Sequence, residues 1–112
     1  MPCTARILGC DVDVVEDPNL LLEGSALGEW RSSINQIALA DNIDGPNSGE
    51  TLVHEVIETI NSKLELSLKH SQIQALGAAL YQFIRDNPDL VSAVVVGEKI
   101  PPRAHARGRG RK

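Results

Sequence analysis

The stretch Glu50-Thr51-Leu52-Val53-His54-Glu55-Val56-Ile57-Glu58-Thr59-Ile60-Asn61-Ser62-Lys63-Leu64 decides how this chain reads. Val53, Val56, Ile57, Ile60 and Leu64 recur with the 3.6-residue period of one helix face. Ser48 or Gly49 can cap the start, and the carboxylate of Glu50 suits the positive end of the helix dipole. An amphipathic helix is therefore expected from Glu50 to about Leu64.

Moving outward, Leu64-Glu65-Leu66-Ser67-Leu68 breaks the helical period. A second amphipathic helix follows, with Ile73, Leu76, Leu80, Phe83 and Ile84 as its apolar stripe and Asn87-Pro88 as its end. The short connection predicts an antiparallel pair. Upstream, Asp41 to Gly49 is dense in turn formers and reads as an irregular loop. Gly28 to Ala40 reads as one or two strands, with Ser33-Ile34-Asn35-Gln36 as a turn or bulge. Residues 4 to 15 alternate as a half-buried strand, Val12 and Val14 on one side and Asp11 and Asp13 on the other, ended by Asp17-Pro18-Asn19. Leu20, Leu21, Leu22 and Glu23-Gly24-Ser25 then form a loop that tucks leucines into the core. Leu90 to Val96 reads as a last strand or the close of a helix. The expectation is an α+β fold, a small N-terminal antiparallel β-sheet packed on an antiparallel pair of α-helices, as one domain over residues 1–96.

Composition bounds the rest. A chain of 112 residues is one ordinary domain, and with 42% apolar but only 3% aromatic residues its core must be built from Leu, Ile, Val and Ala. Cys3 and Cys10 stand on opposite faces of a regular strand, which argues against a bridge and for reducing conditions. No apolar run is long enough to span a membrane and the N-terminus lacks a secretory pattern, so a cytoplasmic protein without membrane contact is expected. Residues 1–96 carry five basic against fourteen acidic side chains, net −9, while residues 97–112 carry net +5. The acidic body argues against a nucleic-acid-binding domain. The tail with Arg103, Arg107, Arg109, Arg111 and Lys112 reads first as a disordered solubilising segment, and second as a weak, sequence-independent contact for nucleic acid.

On a helical wheel with Val53 at zero, His54 falls at about 100° and Glu58 at about 140°, on one shoulder of the apolar face. Two side chains one turn apart can share one metal ion, as the two histidines of a His-Glu-x-x-His helix do. Glu55, next to His54 on the side read as facing away from the core, stands where that motif places its general base. On the second helix His70, Gln74 and Tyr81 share a shoulder that can face His54 and Glu58, and Gly77 lets the helices approach. His54, Glu58 and His70 would leave a tetrahedral zinc one position for water, the arrangement of a catalytic site, with Tyr81 placed to stabilise an oxyanion. Spacing alone leaves an alternative open, a polar network in which His70 caps its helix or exchanges hydrogen bonds with Glu58. Nor does it distinguish zinc from manganese, nickel or iron(II).

Thr51 to Asn61, Leu64-Glu65-Leu66, His70, Leu80-Tyr81-Gln82-Phe83 and Asp86-Asn87-Pro88 together resemble short bacteriophage and prophage proteins related to minimal zincin metallopeptidases. The resemblance covers about residues 28 to 90. It implies a small sheet before the active-site helix and a third ligand from the following helix. His54 and Glu55 match the first ligand and general base of the pattern, Glu58 stands in place of its second histidine, and His70 takes the position of a later glutamate. What this implies is a small zinc-dependent hydrolase acting on a peptide or protein. The alternative is a non-catalytic zincin-like protein that binds a host or virion partner, since 112 residues leave little room for an extended cleft or lid.

Overall fold

The computed structural model describes residues 3–20, 27–41 and 43–100. Leu21, Leu22 and Glu23-Gly24-Ser25 lie outside the described residues, as does the basic tail from residue 101 on. The elements in chain order are β1 (Cys3–Ile7), β2 (Cys10–Glu16), β3 (Gly28–Arg31), a 3-10 turn (Ser32–Ile34), β4 (Gln36–Leu39), α1 (Gly45–Leu64), α2 (His70–Asp86) and α3 (Pro88–Val96). The α+β class expected from the sequence is the observed one. By its contacts the chain divides into two units, Met1–Gln82 and Phe83–Lys112, with the boundary inside α2.

Residues 4 to 15 form a hairpin instead of the single strand expected. Ile7 pairs with Cys10, and the two residues between them, Leu8 (φ 54°) and Gly9 (φ 77°), both adopt left-handed backbone. That is the tight turn whose twist matches antiparallel strands. Leu8 has none of the side-chain features that normally mark such a position, so the turn was invisible in the sequence. Arg6 braces it, donating to Gly9 O at 3.0 Å and pairing with Asp11 at 3.2 Å. Cys3 and Cys10 sit at opposite ends of the hairpin, exposed and unbridged.

The four strands form one sheet in the order β1-β2-β4-β3. The outer pairs are antiparallel, but β2 and β4 run parallel, with Val14 opposite Ile37. The sheet is thus mixed, a correction to the antiparallel sheet expected. Parallel neighbours need a long return connection, and residues 17–35, which include β3, supply it. Asn35 closes the β3–β4 turn at φ 55°, and its amide donates to Asp11 O at 2.7 Å, which locks β4 beside β2.

One face of the sheet carries Ile7, Val12, Val14 and Ile37, buried under Leu52, Val56 and Ile60 of α1, with Trp30 and Leu39 at its margin. Ala38 and Ala40 pack with Leu20, Val15 and Ile43 in a second, smaller cluster. Asn19 and Leu20 already have helical backbone where a loop was expected, and Leu20 is buried as expected. Arg31, donating to Asp17, Gln36 and Glu29, ties β3 to the end of β2. The guanidinium beside Asp17 holds its carboxyl below the usual range, helped by the Asn19 backbone N–H.

The helix α1 starts five residues before Glu50. Asp44, not Ser48 or Gly49, is its cap: Oδ1 accepts the Asn47 N–H at 2.8 Å, and Pro46 occupies the first turn, where its missing donor costs nothing. Its end at Leu64 is as expected, closed by Glu65 in left-handed backbone (φ 53°). Contacts between α1 and α2 run in opposite order along the two helices, Gly49 with Tyr81, His54 with Gly77 and Glu58 with His70, so the pair is antiparallel. The stripe expected in the core is not in it. Ile73 is buried, but Leu76, Leu80, Phe83 and Ile84 each keep more than two-fifths of their surface exposed. Residues 88–96 form a helix, begun by Pro88 and ended by Gly97.

Candidate metal centre

His54 and Glu58 lie one turn apart on α1, and the His54 Nε2 stands 3.4 Å from Glu58 Oε2. From the first residue of α2, His70 points its Nδ1 at the same oxygen from 3.8 Å. The two imidazoles meet edge-on with centroids 5.6 Å apart. One donor atom from each of the three residues lies within 4.8 Å of the other two. Gly77 favours this approach: a Cβ there would come 3.3 Å from the His54 Cα, so even alanine would ask the two helices to give by a few tenths of an ångström.

Donor spacing bears on whether a cation suits these residues. Two ligands of a tetrahedral zinc with bonds of about 2.0–2.1 Å stand roughly 3.3 Å apart. The 3.4 Å pair already has that spacing, the 3.8 Å pair needs a shift of about half an ångström, and the two imidazole donors, within 4.8 Å, need to close by up to about 1.5 Å. Both are long for charge-assisted hydrogen bonds, which run at about 2.7–2.9 Å. Two imidazoles and a carboxylate, half open to solvent on the His70 side, are also the donor chemistry that zinc and its neighbours in the first transition row accept.

Glu55 is not on the side away from the core. It is 6% exposed and faces the sheet edge, with Thr51 and Thr59 one turn to either side of it and also buried. Gly28 of β3 covers it, since a Cβ at that position would fall 3.1 Å from Glu55 Oε2 and 2.6 Å from Thr51 Cγ2. Burial raises the Glu55 pKa from the ordinary 4.5 to about 7, with the neighbouring charges of Glu58 and Glu29 adding to the effect. A wheel with a single apolar face misplaced this residue because α1 is covered twice, by the sheet and by α2. The signal that could have found it is the Thr51, Glu55, Thr59 spacing, small β-branched residues flanking an acid on one helix line.

Glu55, His54 and His70 open together onto a cavity of about 320 Å³. Leu27 and Gly28 line it from the β3 side, Asn47, Glu50 and Thr51 from the first turns of α1, and Gln74 and Ala78 from α2. Of these only Gln74 and His70 were expected on this face of α2. Tyr81 is elsewhere, its ring against Gly49, where a Cβ would meet Cε1 at 2.7 Å. The structure therefore brings His54, Glu58 and His70 together, sets Glu55 beside them, and leaves Tyr81 out of the cavity wall. No helix among the described residues is long and apolar enough to cross a membrane. No family model, curated protein or solved structure matches the chain.

Proposed function

We propose that this protein is a small metal-dependent hydrolase, a peptidase in its reaction class, in which His54, Glu58 and His70 hold a divalent transition metal, zinc first among the candidates. The observation that carries the reading is the convergence of three donor atoms within 4.8 Å beside a buried carboxyl whose pKa is pushed up to about 7. When bound, zinc supplies a Lewis acid that polarises a carbonyl and acidifies water. Glu55 supplies the proton traffic. Its carboxylate, whose pKa is raised chiefly by burial, can take a proton and return it to a leaving amine, the exchange that general acid–base catalysis requires. The near-dry wall formed by Gly28 and Thr51 keeps that carboxyl from being levelled by solvent. Phage or prophage origin belongs to the same reading and rests on the resemblance alone.

A second reading, a zincin-like scaffold that acts by binding, draws on a different observation. Leu76 and Leu80 lie one turn apart on α2 and are both nearly half exposed, apolar surface that a partner could cover. Elemental analysis and peptide hydrolysis separate the two. The first predicts one zinc per chain after loading, lost in His54→Ala and His70→Ala, and turnover of a mixed peptide library that Glu55→Gln lowers about 100-fold or more while the metal stays bound. Full metal content in the histidine variants would end the metal reading. Metal without turnover would leave the binding reading in its place.

A further inference from the structure

The third ligand is held differently from the other two. The side chains of His54 and Glu58 are 21% and 28% exposed, whereas that of His70 is 74% exposed, so packing does little to fix its imidazole. What places His70 is the backbone that leads into it. That backbone is the loop 65–69, in which Glu65 (φ 53°) and Ser67 (φ 62°) both adopt left-handed conformations that residues with side chains avoid. A loop of this kind keeps its course only where hydrogen bonds dictate it.

Those bonds converge on one residue of α1. The backbone oxygen of Asn61 accepts the N–H of Glu65, which it shares with Ser62 O, and, at 3.1 Å, that of Leu66. Its side-chain Oδ1 accepts the N–H of Leu68 at 2.9 Å in a partly buried contact seven residues along the chain. Past Leu68, the Lys69 N–H is taken by Gln72 Oε1 at 2.8 Å, and Gln72 and Ile73 donate back to Lys69 O. Lys69, itself capped, is the one residue between this clasp and His70. The helix that carries two donors thus also sets, three residues beyond Glu58, where the third enters.

We infer that Asn61 is a positioning residue of the metal centre: through the Leu68 N–H its side chain fixes the distance of His70 from the His54–Glu58 pair, and so sets metal affinity without touching the cation. The inference rests on the ligand assignment of the preceding section. Any residue at 61 keeps the backbone acceptor, so substitution isolates the side-chain bond.

The test measures zinc affinity of the full chain by competition with a chromophoric chelator, and the visible spectrum of the cobalt-loaded protein. Asn61→Ala and Asn61→Asp are compared, each with and without His70→Ala. Loss of one such bond corresponds to affinity weakened about five- to tenfold in Asn61→Ala, together with a weaker cobalt band. Asn61→Asp, which keeps an acceptor of the same reach, stays close to the parent. In the His70→Ala background, where His54 and Glu58 alone leave a residual affinity too weak to keep one zinc per chain, Asn61→Ala changes that residual value no further, because the partner through which it acts is gone. An equal loss in both backgrounds, or no loss in either, overturns the inference while leaving the metal site standing. Unchanged affinity in His70→Ala, or no metal in the parent protein, overturns the ligand assignment itself. If Asn61→Ala does not fold, Asn61→Ser, whose hydroxyl falls short of Leu68, carries the same expectation.

Discussion

On the side of α1 that meets the sheet, Val12 and Ile37 are wholly buried and Leu52, Val56 and Ile60 reach into their cluster, whereas on the side that meets α2 the buried residues of the partner helix are Ile73 and Gly77, with Leu76 and Leu80 left almost half in solvent. The first interface is deep and apolar. The second is thin, and the candidate metal donors lie within it. The wall that anchors α1 is thus not the wall that gathers the candidate donors: His54 and Glu58 are carried on the strongly held element, His70 on the weakly held one. A cation joining the three would add to the thin interface an attachment that packing there does not provide.

The largest expected effect tests the deep side. Ile37→Ala removes a side chain with no exposed surface and should cost about 3–4 kcal/mol, measured by urea unfolding. A loss below about 1 kcal/mol would mean that the sheet does not anchor α1.

Next comes the buried acid between the two walls. The folded Glu55 pKa of about 7 lies above the ordinary 4.5, so the folded state binds the extra proton. Its contribution is fully present below pH 4.5 and is lost as pH rises through about 7. The span corresponds to about 3 kcal/mol as an upper bound. The metal-free protein should accordingly lose stability between pH 5 and pH 8 relative to Glu55→Gln, which has no charge to bury. Parallel pH profiles for the two proteins would show that the carboxyl titrates normally.

The smallest effect probes the thin side. Leu80→Gln, at a half-exposed position, should cost less than about 1 kcal/mol. A cost equal to that of Ile37→Ala would show that the outer face of α2 is covered in solution, which would favour the binding reading.

How far the sequence could be read follows the same division. The first helix was legible from Glu50 to Leu64 and the second up to Asn87-Pro88 because each repeats its apolar residues on one period, and residues 33–36 were legible as a turn or bulge between two strand halves. His54, Glu58 and His70 could be grouped because spacing of four residues and a short antiparallel connection leave few other arrangements. Other features were not legible. Leu8 gives no turn signal. The Asp44 cap lies within a run of turn formers that all look alike. The burial of Glu55 depends on Gly28, a residue 27 positions away, and on a helix covered from two sides, which one wheel cannot represent. The exposure of Leu80 and its neighbours likewise depends on what does or does not pack over them, information that periodicity does not contain.

The glycine at position 28 also limits how portable this site is. A segment cut from α1 and the start of α2 would take all three donor side chains with it, yet Thr51 and Glu55 would lose the strand edge that closes over them. The carboxyl would regain water and return toward ordinary acidity, and Thr51 would become a surface residue on a helix with no sheet to rest on. Transplanted to another scaffold, the motif would keep its ligands and lose its neutral-pH acid unless a bare stretch of β-backbone came with it.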